Sequence, residues 1–139
     1  MDYVKPHDVV KDMVSTGALK LDVPASHLVI RGALAGAYLG IATSMAVTAA
    51  VETGSWLVGS LLFPIGLCIA ILLRTEIITG SFALLPCATA AGKENACVSR
   101  VLINWGWVFL GNLLGSVLYA AMLAIVLTTA GDAGLSATG

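Results

Sequence analysis

Residues 57–91 form one long apolar stretch interrupted by a polar patch, Arg74-Thr75-Glu76-Ile77-Ile78-Thr79-Gly80-Ser81. Charged side chains and a glycine inside a hydrophobic span are costly in lipid, where an unpaired N–H or C=O finds no water. Irregular backbone at that depth is tolerated only where protein buries it or where it lines a cavity. The stretch is too long for a single span, since a spanning helix takes roughly 20 apolar residues. It is also too short and too interrupted for two full spans with a loop. The pattern therefore predicts one span made of two helical pieces, broken at residues 74–81. Broken helices of this kind are the usual sign of a solute or ion pathway.

The rest of the chain fits the same setting. It has 139 residues, 58% hydrophobic and 11% charged, with a mean hydropathy of +0.96, whereas soluble domains carry about 25% charged residues. Residues 28–51 and 101–130 each fit one span. The expected fold is all-α and integral to the membrane, with three transmembrane helices of which the second is broken. Residues 1–27 are expected to form a cytoplasmic amphipathic segment, residues 28–130 the transmembrane unit, and residues 131–139 an extracytoplasmic tail. Lys5, Lys11, Lys20 and Arg31 precede or open the first span, and Lys93 and Arg100 lie between the second and third. The segment between the first two spans holds Glu52 and no Lys or Arg, and the tail holds Asp132 alone. The positive-inside rule then places the N-terminus in the cytoplasm and the C-terminus outside. A bacterial inner membrane and an organelle envelope would leave the same pattern. The first apolar region begins near Leu28, too far in for the core of a cleaved secretory signal. A net charge of -1 gives no reason to expect a nucleic-acid partner.

Between Pro6 and Leu19, the residues Val9, Val10, Met13, Val14 and Ala18 recur at helical spacing, which predicts a short amphipathic helix at the membrane surface or capping the bundle. Gly17 near its end and Pro24 beyond it read as stop signals. Gly32, Gly36 and Gly40 form a small-residue ridge on the first span, repeated by Gly111 and Gly115 on the third. Such ridges let helix backbones approach closely in lipid. Cys68, Cys87 and Cys97 have no metal-ligand spacing and are expected to be small buried residues. His7 and His27 flank the membrane region as surface residues. No nucleophile–base pair, paired carboxylates or phosphate loop is present, so neither catalysis, nor a cofactor, nor a metal is expected.

Within the polar patch, the piece ending near Leu73 carries unpartnered carbonyls and a partially negative end, where Arg74 would sit well with Glu76 close enough to neutralise it. Two readings of Arg74 and Glu76 stand side by side: a structural pair or an interfacial arginine, and direct contact with solute. Thr79 and Ser81 offer hydroxyls to a cavity or to a cap. With Ser81 as cap, the second piece would turn a positive N-terminal dipole inward, suited to an anion. Pro86 would either kink that piece or mark its start near Leu85. Phe63 and Leu67, one turn apart, are read as a constriction or as ordinary packing.

The run Asn104-Trp105-Gly106-Trp107-Val108-Phe109-Leu110-Gly111-Asn112-Leu113-Leu114-Gly115 resembles the NWxxxFxGNLxG signature of the formate/nitrite transporter family, through Asn104, Trp105, Phe109, Gly111, Asn112 and Gly115. Arg31 to Gly40, and the run Thr75-Glu76-Ile77-Ile78-Thr79-Gly80, which is similar to the family's E-L-F-T-G loop, agree in order. The resemblance implies an aquaporin-like fold, six spans in two inverted three-helix repeats, assembled as homopentamers in the bilayer. It implies a path in each subunit for small monovalent anions such as formate or nitrite. In the family the second span breaks at a gating loop whose threonine matches Thr79, and Phe63, Leu67 and Ile77 match apolar constriction residues. Arg74 departs from the pattern, standing where small residues are common. The second repeat, with its pore lysine and central histidine, has no counterpart before Gly139. The chain is accordingly expected to be the first repeat of such a transporter. The alternative is a half-size, non-transporting subunit that assembles with full-length relatives and regulates them.

Overall fold

The computed structural model describes residues 4–137 of the chain, with side chains up to Thr129. Over that range the chain is helical and contains no strand: α1 (Pro6–Lys20), α2 (Ala25–Thr53), α3 (Trp56–Leu62), α4 (Pro64–Leu72), α5 (Ile78–Ala90) and α6 (Val98–Ala137). Two stretches are long and apolar enough to cross a bilayer, α2 with a mean hydropathy of 1.6 and Val98–Thr129 of α6 with 2.0. Large apolar side chains line the outside, Trp56 at 74% exposure and Leu72 at 80% among them. An all-α membrane protein accounts for both features, because lipid accepts apolar surface that water rejects.

The frame is a parallel pair, α2 beside α6, packed through the two glycine ridges. A Cβ at Gly115 would overlap the carbonyl oxygen of Ala33, and one at Gly36 would overlap that of Asn112. One at Gly111 would come within 2.6 Å of the Val29 carbonyl oxygen. The ridges thus serve packing within the chain, with backbones meeting where side chains would hold them apart. Towards the far end of the pair, Ser44 Oγ and Tyr119 OH share a 2.7 Å hydrogen bond.

α3 and α4 return along α2 as one helix kinked at Pro64, which has no N–H to give the preceding turn. Gly59 faces Ala46 and Ala50 of α2, and Gly66, two turns on, faces Tyr38 and Ala42. Beyond α4 the helix stops over residues 73–77 and resumes as α5. The break is shorter than the patch 74–81, since residues 78–81 have re-entered a helix. Pro86 lies within α5 and does not begin it.

α1 packs across α5 at the opposite end of the bundle from Ser44 and Tyr119. Gly17 is the contact point and not the stop signal its position suggested: a Cβ there would overlap the Leu84 carbonyl oxygen. Leu21, Leu85, Ala88, Ala96 and Val101 close a small core between α1, α5 and α6. Three carbonyls at the C-terminal end of α1, beyond the reach of the helix's own ladder, receive side chains from the far side of the fold. Asn95 Nδ2 donates to Ala18 O, Asn104 Nδ2 to Lys20 O and an Arg100 guanidinium N–H to Leu21 O, all at 3.0 Å. All seven Lys and Arg residues lie in or near this end, on α1, the start of α2, the break, the α5–α6 turn and the start of α6.

The helix α6 continues through Ala137, so it includes most of the residues assigned to the tail in the sequence, of which 138 and 139 lie outside the described residues. None of the three cysteines is buried within the chain: Cys68 and Cys97 are exposed and Cys87 is half-buried. Cys68 lies on the outward face of α4, and Cys97 precedes α6. Apolar neighbours in the sequence become interior neighbours only where a second helix covers that face.

Candidate functional site

α4 ends in a doubly bonded reverse turn. Arg74 N–H donates to Ile71 O and Thr75 N–H to Ala70 O, both at 3.0 Å, with Arg74 in the left-handed region at φ +51°. This is a Schellman ending, and it turns the chain out of the helix within two residues. Thr75 Oγ1 adds a bond to the same Ala70 carbonyl at 2.8 Å.

The next segment is stapled from α6. Asn112 Nδ2 donates to Glu76 O at 2.7 Å and to Gly32 O at 3.0 Å, while its Oδ1 accepts from Ile78 N–H at 3.0 Å. One amide therefore ties the break to α2 and caps the first turn of α5. Ile77, in extended conformation, precedes that turn and supplies no side-chain cap. Ser81, the candidate cap, lies within α5, fully buried, its Oγ without a partner among the described residues. The N–H groups of Thr79 and Gly80 have no intrahelical acceptor, as in any first turn. They form the positive end of the α5 dipole.

Glu76 is 4% exposed and engaged through all three of its polar groups. Its N–H meets Arg31 O at 3.4 Å, its carbonyl takes Asn112, and its carboxylate pairs with the Lys20 ammonium. The expected Arg74–Glu76 pairing is absent. The packing of α1 on α5 brings Lys20 to the Glu76 carboxylate instead. Breaking such a buried pair by removing one partner typically costs about 3–5 kcal/mol, since the other charge is then left in low dielectric.

A cleft of about 520 Å³ opens between α1, α2 and the break. Leu19, Val23, Ile71, Ile77 and Leu84 supply its apolar wall, and its charged groups are Lys20, Arg31, Arg74 and Glu76. With Lys20 and Glu76 paired, two guanidinium groups remain with no carboxylate partner among the described residues. The cleft is therefore positive and suited to an anion.

The remaining pathway candidates do not share this cleft. Phe63, half-exposed at the kink, lines a shallow cavity with Thr43, Val47, Trp56 and Ser60. Leu67 sits one turn further on, on the exposed face of α4, and Thr79 is exposed on the first turn of α5. Among the signature residues, Asn104 anchors α1, and Trp105 meets Phe82 of α5 edge to face with ring centres 4.7 Å apart. Gly111 and Gly115 hold α6 on α2, and Phe109 points outward at 57% exposure. The residues that sequence reasoning misses at the site are Lys20 and Arg31, which the sequence places only by orientation and, for Arg31, by the family-like run it opens. Their signal was present as basic residues close to the apolar spans. Outside the helices, the Cys97 thiol is held below the usual thiol range by the Arg100 backbone N–H and the Ser99 hydroxyl.

A sequence profile described as formate/nitrite transporter matches residues 7–138. Among similar proteins are an uncharacterized transporter, YrhG, of Bacillus subtilis, 29% identical over 86% of this chain and 47% of that protein. A probable formate transporter of Methanothermobacter thermautotrophicus is 28% identical over 88% of this chain and 47% of its own length. The formate channel BtFdhC of Bacillus thuringiensis is 31% identical over 86% of this chain and 48% of its own length. The chain thus spans about half the length of the curated relatives it matches. No solved structure matches it.

Proposed function

The chain belongs to the formate/nitrite transporter family, and from that premise we propose that it forms the broken-helix half of a path for small monovalent anions such as formate. The observation that carries this reading is the stapled break at residues 73–77, an irregular segment held open beside a positive cleft. The backbone there has no need of water at its inner groups, because Asn112 and the Arg31 carbonyl satisfy them, and the remaining polar groups can face a cavity.

In this reading three crossings carry the chain through the bilayer with its N-terminus in the cytoplasm, and the second crossing comprises α3, α4 and α5. Arg31 and Arg74 draw the anion to the cytoplasmic mouth. The first-turn N–H groups and the hydroxyl of Thr79 replace part of its water. Phe63, Leu67 and Ile77 face the path as apolar constrictions. A hydrated anion loses water there without new hydrogen bonds, so the neutral acid or a weakly hydrated anion passes more readily. An inverted second repeat completes the wall of the path, and subunits assemble as in the family, as pentamers.

The test is formate influx into liposomes holding the full chain, alone and together with the second half of a relative, followed with an internal pH-sensitive dye. Flux above that of empty liposomes in either preparation, reduced by Leu67→Trp, is the expected result. Flux no faster than in empty liposomes in both would sink the reading.

A further inference from the structure

Three helices of this chain end in the same doubly bonded turn. At the end of α2, Gly54 N–H bonds Val51 O and Ser55 N–H bonds Ala50 O, at 3.3 and 3.1 Å. At the end of α5, Gly92 N–H bonds Thr89 O and Lys93 N–H bonds Ala88 O, at 3.0 and 3.2 Å. At the end of α4, Arg74 and Thr75 do the same to Ile71 and Ala70. The pivotal residue has φ +64° in the first, +67° in the second and +51° in the third. Two of the three are glycine, the residue that takes this conformation without a Cβ penalty. An arginine there is disfavoured by roughly 1 kcal/mol or more, since its Cβ crowds the following carbonyl.

Among the described residues nothing offsets that penalty. The Arg74 side chain is exposed and forms no hydrogen bond or ion pair among the described residues. It lines the cleft beside Arg31, whose guanidinium is likewise without a carboxylate. The single carboxylate in the cleft, Glu76, is taken by Lys20. Residues kept in sparsely populated backbone regions cluster where function requires the side chain.

We propose that Arg74, with Arg31, is an oxyanion-binding site at the mouth of the break, and that it takes the carboxylate of the transported anion before the anion enters the path. Guanidinium groups suit this task. They stay charged at any physiological pH and present donors in a planar fork that matches a carboxylate. The site rests on the transport reading for its purpose and on the cleft alone for its existence. A phosphate of an anionic lipid headgroup has similar chemistry, so the test separates the two sources.

The decisive variant is Arg74→Gly, because glycine fits the turn and removes the guanidinium together. In nanodiscs of phosphatidylcholine, the full chain is titrated with ¹³C-formate and the line broadening of bound anion is read. Wild type broadens the line, Arg74→Lys retains much of the effect, and both Arg74→Gly and Arg31→Gln weaken binding by about tenfold or more, the worth of one charge-assisted bond. Arg74→Gly should at the same time favour the folded state by about fivefold, the release of the backbone penalty. The proposal is overturned if wild type leaves the line sharp, or if Arg74→Gly broadens it equally. It is also overturned if Arg74→Gly lowers the unfolding midpoint, which makes the arginine a structural residue. Loss of formate broadening in phosphatidylglycerol nanodiscs would assign the site to a headgroup and overturn it as well. Broadening that depends on Arg74 in a chain that passes no formate, with or without a second repeat, upholds the site and refutes the transport reading.

Discussion

Replacing Asn112 with alanine removes three hydrogen bonds that no other side chain can supply. The Glu76 carbonyl loses its side-chain donor, the N–H of Ile78 loses its acceptor, and the Gly32 carbonyl is left with its own helix's bond alone. Interhelical hydrogen bonds in membrane proteins average about 0.6 kcal/mol by double-mutant cycles, which puts three at about 2 kcal/mol. If no water reaches the vacated space, the Glu76 carbonyl and the Ile78 N–H each cost about 1–3 kcal/mol, and the loss rises to about 4 kcal/mol. Asn112→Asp should be at least as damaging. Its carboxylate still accepts from Ile78, but it faces two carbonyl oxygens with no proton to give. The measurement is reversible unfolding in mixed dodecyl maltoside–SDS micelles, followed by far-ultraviolet circular dichroism. Hydrogen exchange at the Ile78 amide supplies the local readout, and its protection should fall more than that of amides in the middle of α2. A loss below about 0.5 kcal/mol with Ile78 exchange unchanged would refute the idea that this amide holds the break.

Lys20→Met should destabilise the chain by about 3 kcal/mol, because Glu76 is left charged in a buried site; adding Glu76→Gln should recover part of that loss in the same micelle titration. Gly115→Ala places a methyl on the Ala33 carbonyl and should cost about 1–3 kcal/mol as α2 and α6 are forced apart. Gly106→Ala, where an added Cβ meets nothing within 4 Å, should instead be neutral or stabilise by up to about 1 kcal/mol. The Cys97 thiol, held low by the Arg100 N–H and Ser99, should reach half its maximal alkylation rate by iodoacetamide at a lower pH than an unstructured peptide thiol. Ser99→Ala should shift that midpoint back up.

Much of the architecture was legible in the chain. Three apolar regions gave α2, the broken stretch and α6, because the requirement to bury backbone hydrogen bonds in lipid is met locally, residue by residue, along a helix. The glycine ridges announced close packing, and the contact found is between the two ridges themselves. The ends were less legible. Thr79 to Ser81 read as loop because they are polar, yet they form a helical turn. Their cap comes from Asn112, 34 residues away. Gly17 read as a stop because glycine often follows helices, yet it is the point where α1 touches α5. Cys68 reads as buried because its neighbours are apolar, yet α4 turns that face outward.

What the sequence by itself determined is which segments are helical and apolar, where small residues let them meet, and roughly where the second stretch must break. These follow from hydropathy and from side-chain size at helical spacing, both properties of neighbours along the chain. Only the tertiary structure decided who satisfies the break. Lys20 pairs with Glu76 across 56 residues, and Asn112 reaches three backbone groups on two other segments. Those partners are chosen by where α6 crosses α2 and where α1 lies on α5. A hydrogen bond depends on a few tenths of an ångström between groups distant in sequence, and no local pattern carries that distance.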